Sequence, residues 1–256
     1  THGVFLYVPR GLAVTLPAHS IFYTTQPGAT LGHLLVVLEE GASIDYLHET
    51  ISPTLEQDTS FIGATELIVK DEANLRFVNL QDWGHNVFEF SHQRARVGND
   101  GQLDWITGQM GGKFVKTFME IELDGKGSWG RMSAMYFPDG QQFMDLDTQQ
   151  NHNAPNTTSD LLFKGVLKDQ SRSVWQGMIK ALPGAQKTDG FQANRNMLLS
   201  DDARADSIPG LEIMANDVRC THAAAIGQIE EEVLFYLMSR GITRPEAEKL
   251  VVDGFF

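Results

Sequence analysis

Apolar residues in the first 225 or so positions come in short runs, many of them alternating with polar ones. Val4, Leu6 and Val8 mark one run, and Leu12, Val14 and Leu16 the next. Leu67/Val69, Leu75/Phe77 and Met119/Ile121/Leu123 continue the pattern. A period of two is expected of a strand with one face buried. Turn pairs separate the runs: Pro27-Gly28, Glu40-Gly41, Asn99-Asp100-Gly101 and Pro138-Asp139-Gly140.

A looser repeat underlies these runs. A small or turn residue is followed two positions later by an apolar one at Ala29/Leu31, Ala42/Ile44, Ala73/Leu75, Gly101/Leu103 and Gly127/Trp129. The small residues are 13, 31, 28 and 26 positions apart. The three longer gaps are the length of one solenoid coil, and the first reads as a half-coil. Stacked coils bury a continuous core that no single coil could bury alone. The pattern predicts a mainly β chain of stacked coils over residues 1–225, with a β-sandwich as the alternative use of such short strands.

The period changes at Ile226. Ile229, Val233, Tyr236 and Leu237 recur at helical spacing, with Glu230, Glu231 and Glu232 at the N-terminal end, where they suit the helix dipole. Gly241 supplies a stop. Thr243-Arg244-Pro245-Glu246 has the form of a capping box with Pro in the first turn. Residues 226–256 are therefore expected to form a short α-helical hairpin. Such a hairpin cannot bury both its faces alone, so it is expected to pack on the β body, on the preceding N-terminal region or on another protein.

Composition narrows the function. The formal net charge of the 256-residue chain is −13, without a Lys/Arg run, which disfavours a polyanionic nucleic acid partner. The longest apolar runs, such as Leu34-Leu35-Val36-Val37-Leu38, are too short to span a bilayer as a helix. One cysteine rules out an internal disulfide framework and fits a reducing compartment. The start, Thr1-His2-Gly3-Val4-Phe5, reads as the middle of a strand run, so a preceding N-terminal region is expected.

Most motifs have an ordinary explanation. Gly125-Lys126-Gly127-Ser128-Trp129-Gly130 matches G-x-G-x-x-G, but a strand pattern rather than a helix follows it, so a glycine-rich turn is expected. Asp145 and Asp147 could share a strand face; a solvated face explains them without a metal. His19, His33, His48, His85 and His92 show no ligand spacing, and His152 falls in a turn-rich segment. Cys220 and His222 differ. On a strand, i and i+2 share a face about 7 Å apart, so thiol and imidazole can serve one metal centre. Two donors make only half a site. The spacing leaves open a second reading, with Cys220 as a small buried residue and His222 as a satisfied interior histidine.

Ordered motifs in the last hundred residues carry a resemblance. Phe163-Lys164-Gly165-Val166-Leu167-Lys168-Asp169, Pro183-Gly184-Ala185-Gln186-Lys187-Thr188-Asp189, Asn194-Arg195-Asn196-Met197-Leu198-Leu199-Ser200 and Pro209-Gly210-Leu211-Glu212-Ile213 come in order. They lead to Asp217-Val218-Arg219-Cys220-Thr221-His222 and then Leu234-Phe235-Tyr236-Leu237-Met238-Ser239-Arg240-Gly241-Ile242. This string closely resembles the SufB/SufD family of SUF iron–sulfur cluster assembly proteins, densely from about residue 151 to 256 and more loosely upstream.

The resemblance implies a right-handed parallel β-helix followed by the helical hairpin. It implies pairing with SufB through the β-helix, or with a second copy as a homodimer, and docking of the SufC ATPase through the C-terminal helices. It places His222, with Cys220 beside it, as ligands for iron or a nascent cluster at the partner interface. No tightly bound cofactor is expected, and ATP enters only through SufC. SufB-like members carry an essential cysteine where Asn194 stands here, and Glu where Ala223 follows the histidine. Both departures point to a SufD-like, non-catalytic scaffold, cytoplasmic or stromal in a plastid. Two alternatives remain: a SufB-like homodimeric scaffold and a β-helical carbohydrate-active enzyme.

Overall fold

The computed structural model describes residues 2–256. Among the described residues there are sixteen strands and two helices. One sheet holds, in spatial order, β1 (His2–Val8), β3 (Gly28–Leu38), β5 (Thr59–Val69), β7 (Val87–Val97), β9 (Phe114–Leu123), β11 (Phe143–His152), β13 (Arg172–Ala181) and β15 (Arg204–Ile213). The facing sheet holds β2 (Ala18–Tyr23), β4 (Ser43–Ile51), β6 (Asn74–Asp82), β8 (Gln102–Gln109), β10 (Trp129–Tyr136), β12 (Thr158–Leu167), β14 (Asp189–Leu198) and β16 (Arg219–Gln228). The chain alternates between the sheets, so every strand pairs in parallel with the strand two further on. The result is a parallel β-solenoid of about eight coils.

The register measures the coil. Ser43 pairs with Asn74, Asn74 with Gln102 and Gln102 with Trp129, which are 31, 28 and 27 residues apart. The long gaps read from the sequence are therefore whole coils. The first gap is not of this kind: Ala29 lies inside β3 of the other sheet, paired with Ser60.

In-register parallel pairing puts paired side chains on the same face. Lumen residues therefore stack into columns. Tyr46, Phe77 and Trp105 form one of them, with ring centroids 5.8 and 6.0 Å apart. Leu75, Leu103, Ile121, Leu123, Met144 and Trp175 fill the space around it and are fully buried. Each such large side chain contributes about 1.5–3 kcal/mol by leaving water.

One corner repeats a left-handed residue through the first seven coils. Gly11, Gly41, Glu72, Asp100, Gly127, Asn156 and Lys187 have φ between 51° and 73°. The N–H of Gly41 donates to Asp71, that of Glu72 to Asn99 and that of Asp100 to Lys126, each one coil along. A left-handed residue costs an L side chain about 1–2 kcal/mol, which explains the glycines at 41 and 127. It also settles the G-x-G-x-x-G stretch: Gly127 turns the corner between β9 and β10, and no helix follows it.

β16 continues to Gln228, so strand gives way to helix after 228 and not at Ile226. Helices α1 (Glu231–Met238) and α2 (Arg244–Phe255) form the hairpin. Thr243 and Glu246 make the reciprocal capping box. The buried face is turned from the one expected. Leu234 and Ala247 are buried, whereas Val233 and Tyr236 face solvent. Lys164 Nζ on β12 donates to the carbonyl of Phe255 at 2.7 Å, tying α2 to the flank of the solenoid. The hairpin lies along that flank and leaves the end of the solenoid open. None of the helices among the described residues is long and apolar enough to cross a membrane.

Candidate functional site

Two lumen columns lead from the core to the last coil. One runs Leu75, Leu103, Gly130, Ser159, Gly190, Cys220. The other runs Phe77, Trp105, Met132, Leu161, Gln192, His222. Both change from apolar to polar as they approach the end. Cys220 and His222 are thus the terminal members of columns that elsewhere build the core, and both face the lumen side of β16.

Among the described residues, no coil stacks above the last one. β16 pairs with β14 on one side only, and its other edge is unpaired. His222 is exposed and Cys220 is half-buried. Leu211, Ile213 and Ile226 form an apolar rim, 39%, 38% and 46% exposed where their counterparts one coil below, Ile179, Ala181 and Asn196, are buried. From Cys220 to Gln228 the edge carries no Lys, Glu, Asp, Arg or Pro, the residues that usually guard an edge strand.

The Cys220 thiol rests on Gly190. A Cβ at Gly190 would lie 3.4 Å from Cys220 Sγ and 3.4 Å from His152 Nε2, so glycine brings the thiol close to the polar interior. Burial pushes the thiol pKa up, and the Asp189 charge adds to this, against a hydrogen bond from the Gly190 main chain. The thiol is therefore protonated at neutral pH and would have to lose that proton to ligate a metal. Among the described residues, no three His, Cys, Asp or Glu side chains come together to hold a metal. Cys220 and His222 remain two donors, where zinc and cluster irons take four ligands.

Asn194 stands one coil below, paired with Ala224. Its amide is buried and fully used. Nδ2 donates to Tyr136 Oη at 2.9 Å and to the Phe163 carbonyl at 3.2 Å, while Oδ1 accepts from Asn196 Nδ2 and Ser207 Oγ. Burial raises the Tyr136 pKa to about 12, so it stays a neutral donor and acceptor. This network seals the lumen beneath the mouth.

Sequence patterning missed the polar interior. His152 is the last residue of β11 and fully buried, with Nδ1 2.7 Å from Thr157 Oγ1 and Nε2 2.8 Å from Ser159 Oγ. Burial lowers its pKa to about 4, so it is neutral. Gln150 crosses the lumen to Ser159 Oγ and the Phe191 carbonyl, and Gln192 crosses the other way to the Gly210 carbonyl. Among the other histidines, His19 and His33 pair with Glu49 and Glu66 on the surface, and His48 is buried against Ser20. Asp145 and Asp147 do share a face, but both are held by Lys116 Nζ at 2.8 and 2.6 Å. They form an ion-paired outer ladder with no pair of free carboxylates.

Comparison with known proteins gives this architecture its relatives. The model of the SUF system FeS cluster assembly SufBD core domain matches residues 21–255. An iron–sulfur cluster assembly SufBD family protein of Staphylococcus saprophyticus is 29% identical over 99% of this chain and 55% of its own length. Counterparts in Staphylococcus epidermidis and Staphylococcus aureus are 28% identical with the same coverage. The chain spans about half the length of these relatives. A match over nearly the whole solenoid and hairpin, on a fold whose last coil presents Cys220 and His222, shows that the chain belongs to the SufBD family of iron–sulfur cluster assembly proteins.

Proposed function

We propose that this chain is a SufD-like, non-catalytic scaffold of the SUF iron–sulfur assembly complex. It pairs with SufB through its open last coil and docks SufC through the helical hairpin. The observation that carries this reading is the half-site. A thiol and an imidazole, side chains of the kind that bind metals, stand at an open solenoid end on an unguarded edge strand, and among the described residues no third His, Cys, Asp or Glu joins them. A second chain laid on that edge completes the backbone hydrogen bonding of β16, covers the apolar rim and supplies the missing ligands.

Within that assembly His222 offers an imidazole nitrogen, and Cys220 a thiolate once its proton is lost. Iron or a nascent cluster is the cargo held between the chains. Asn194 supports the SufD-like assignment: its amide is consumed by structural hydrogen bonds and brings no thiol to the lumen. The hairpin supports an interaction role, since Phe235 and Tyr236 are 74% and 57% exposed on α1. ATP enters through SufC alone, and its closure reaches the core by shifting the hairpin between two contact states.

The unguarded edge favours a second, SufB-like arrangement, in which two copies of this chain pair through β16. Light scattering of the isolated chain separates the two arrangements by mass.

The test of the scaffold role is cluster reconstitution in a SufBCD complex carrying His222→Ala. The complex is expected to assemble normally and to yield at least tenfold less cluster. Undiminished cluster formation with normal assembly would remove His222 from the chemistry.

A further inference from the structure

The lumen column Ser159, Gly190, Cys220 has no side chain at its middle coil. The space over Gly190 is bounded by Cys220 Sγ and by His152 Nε2, each 3.4 Å from where a Cβ at Gly190 would stand. A glycine inside a strand often marks a place where another group approaches closely. His152 belongs to β11, two coils beneath Cys220, and its ring is fixed at both nitrogens. Gln150 Nε2 donates to Ser159 Oγ, which leaves the Ser159 proton for His152 Nε2 at 2.8 Å. Thr157 Oγ1, 2.7 Å from Nδ1, gives its own proton to the Ala154 carbonyl and accepts the one on Nδ1. Nε2 therefore carries the lone pair, and it is the nitrogen that borders the space over Gly190.

A thiol and an imidazole lone pair on one space are donors for a thiophilic divalent cation. A hydrogen bond that holds the other ring nitrogen is the usual support of such a ligand. A neutral donor stands close by: Gln150 Oε1, two residues from His152 on the same face of β11, is buried and has no hydrogen-bond partner among the described residues. The Asp189 carboxylate, whose charge reaches both Cys220 and His152, is held by Arg219 Nε at 3.0 Å, so the charge that balances the cation is the thiolate's own. We propose that a cation such as Zn²⁺ or Fe²⁺ binds over Gly190 between Cys220 Sγ and His152 Nε2, beneath the mouth. The metal–sulfur and metal–nitrogen bonds form as the thiol proton passes to solvent and Ser159 gives up its hydrogen bond to Nε2. Bonds of about 2.3 Å to sulfur and about 2.0–2.1 Å to nitrogen draw the edge-strand thiol inward. The site lies within this chain alone, and only the ion's role as cargo rests on the scaffold reading.

Titration of the isolated chain with Co²⁺, which reports a thiolate ligand by its charge-transfer absorption, tests the site. One ion per chain is expected. Cys220→Ser should remove the band, and His152→Gln should weaken binding at least tenfold. Gly190→Ala puts a methyl into the space at contact distance from both donors and should weaken binding as much; it serves if His152→Gln melts early. His222→Ala should change the affinity less than twofold. Absence of a saturable thiolate band would overturn the proposal. So would a band that survives both His152→Gln and Gly190→Ala, or one lost with His222→Ala, which puts the ion at the mouth. None of these readouts depends on cluster formation, so the scaffold reading stands or falls separately, on reconstitution.

Discussion

The central coils and the last coil are built from one repeat, in one register, yet their inner faces do opposite things. In β6 and β8 the lumen positions hold Leu75, Phe77, Leu103 and Trp105, closed above and below by further coils and fully buried. In β16 the same positions hold Cys220 and His222, closed only from below. A solenoid column has no intrinsic end, so whatever side chain ends it faces solvent or a partner. A stable repeat becomes a presenting surface when it stops and its terminal side chains can bind something.

The largest test of this contrast is truncation in the centre. Trp105→Ala removes a fully buried ring that packs at a tilt against Phe77, and should cost about 3–5 kcal/mol, read as a fall in the urea midpoint. A cost below about 1 kcal/mol would mean that the central columns are not the core.

Acid should separate the two kinds of interior next. His48 and His152 are buried as neutral rings with pKa values of about 4, both lowered chiefly by burial. An unfolded histidine takes up its proton near pH 6.5, so the unfolded state binds more protons as pH falls from 6.5 towards 4. Stability is then full above pH 6.5 and is lost through that window, by about 2–3 kcal/mol per histidine. His152→Gln should flatten the decline in denaturation midpoint between pH 7 and 4.5.

A smaller effect comes from the polar side of the central lumen. Glu89 is buried with its carboxyl against Gln81 Nε2 at 2.8 Å and Trp83 Nε1 at 2.9 Å, and burial raises its pKa. The folded state therefore holds the proton longer than the unfolded one, and stability falls as pH rises from the ordinary carboxyl range through the raised value. Glu89→Gln keeps an acceptor without the charge and should gain about 1–2 kcal/mol at pH 7.5, checked by thermal melting. A loss would show that the carboxylate form is the one the lumen stabilises.

The smallest expected change in stability is at the mouth. His222→Ala removes an exposed side chain and should move the melting free energy by less than about 0.5 kcal/mol. A large loss would make His222 a structural residue and weaken its assignment as a ligand.

The sequence revealed these regions unequally. The coil length was legible because corner residues such as Ala42, Ala73 and Gly101 recur one coil apart. The first, shorter spacing from Ala29 to Ala42 is the half-coil that crosses from β3 in one sheet to the start of β4 in the other. Beyond Phe143 the alternation fades. Thr148, Gln150, His152, Gln192, Asn194 and Asn196 occupy lumen positions there, and a scan for apolar periodicity reads them as loop. Burial is made tolerable at these positions by hydrogen bonds to other strands, which only the fold brings together. The ladder of positive φ at Glu72, Asp100 and Lys187 carried no glycine to announce it. The hairpin was legible from its capping box, but its buried face was set by Leu234 against the solenoid, which helical periodicity does not specify.

For Cys220 and His222 the sequence supplied the pair and the family resemblance supplied the role. The fold adds that both end lumen columns at an open edge, with Gly190 and Gln192 beneath them. Cys220-Thr221-His222 is thereby placed at the exposed edge of the last coil.

The most direct measurement of that placement is amide hydrogen exchange across residues 219–228, in the isolated chain and after adding SufB. Pairing through the last coil predicts that the β16 amides slow by tenfold or more on mixing, with β8 and β10 unchanged. Unchanged exchange in β16, in a mixture where the two chains migrate together, would contradict the account.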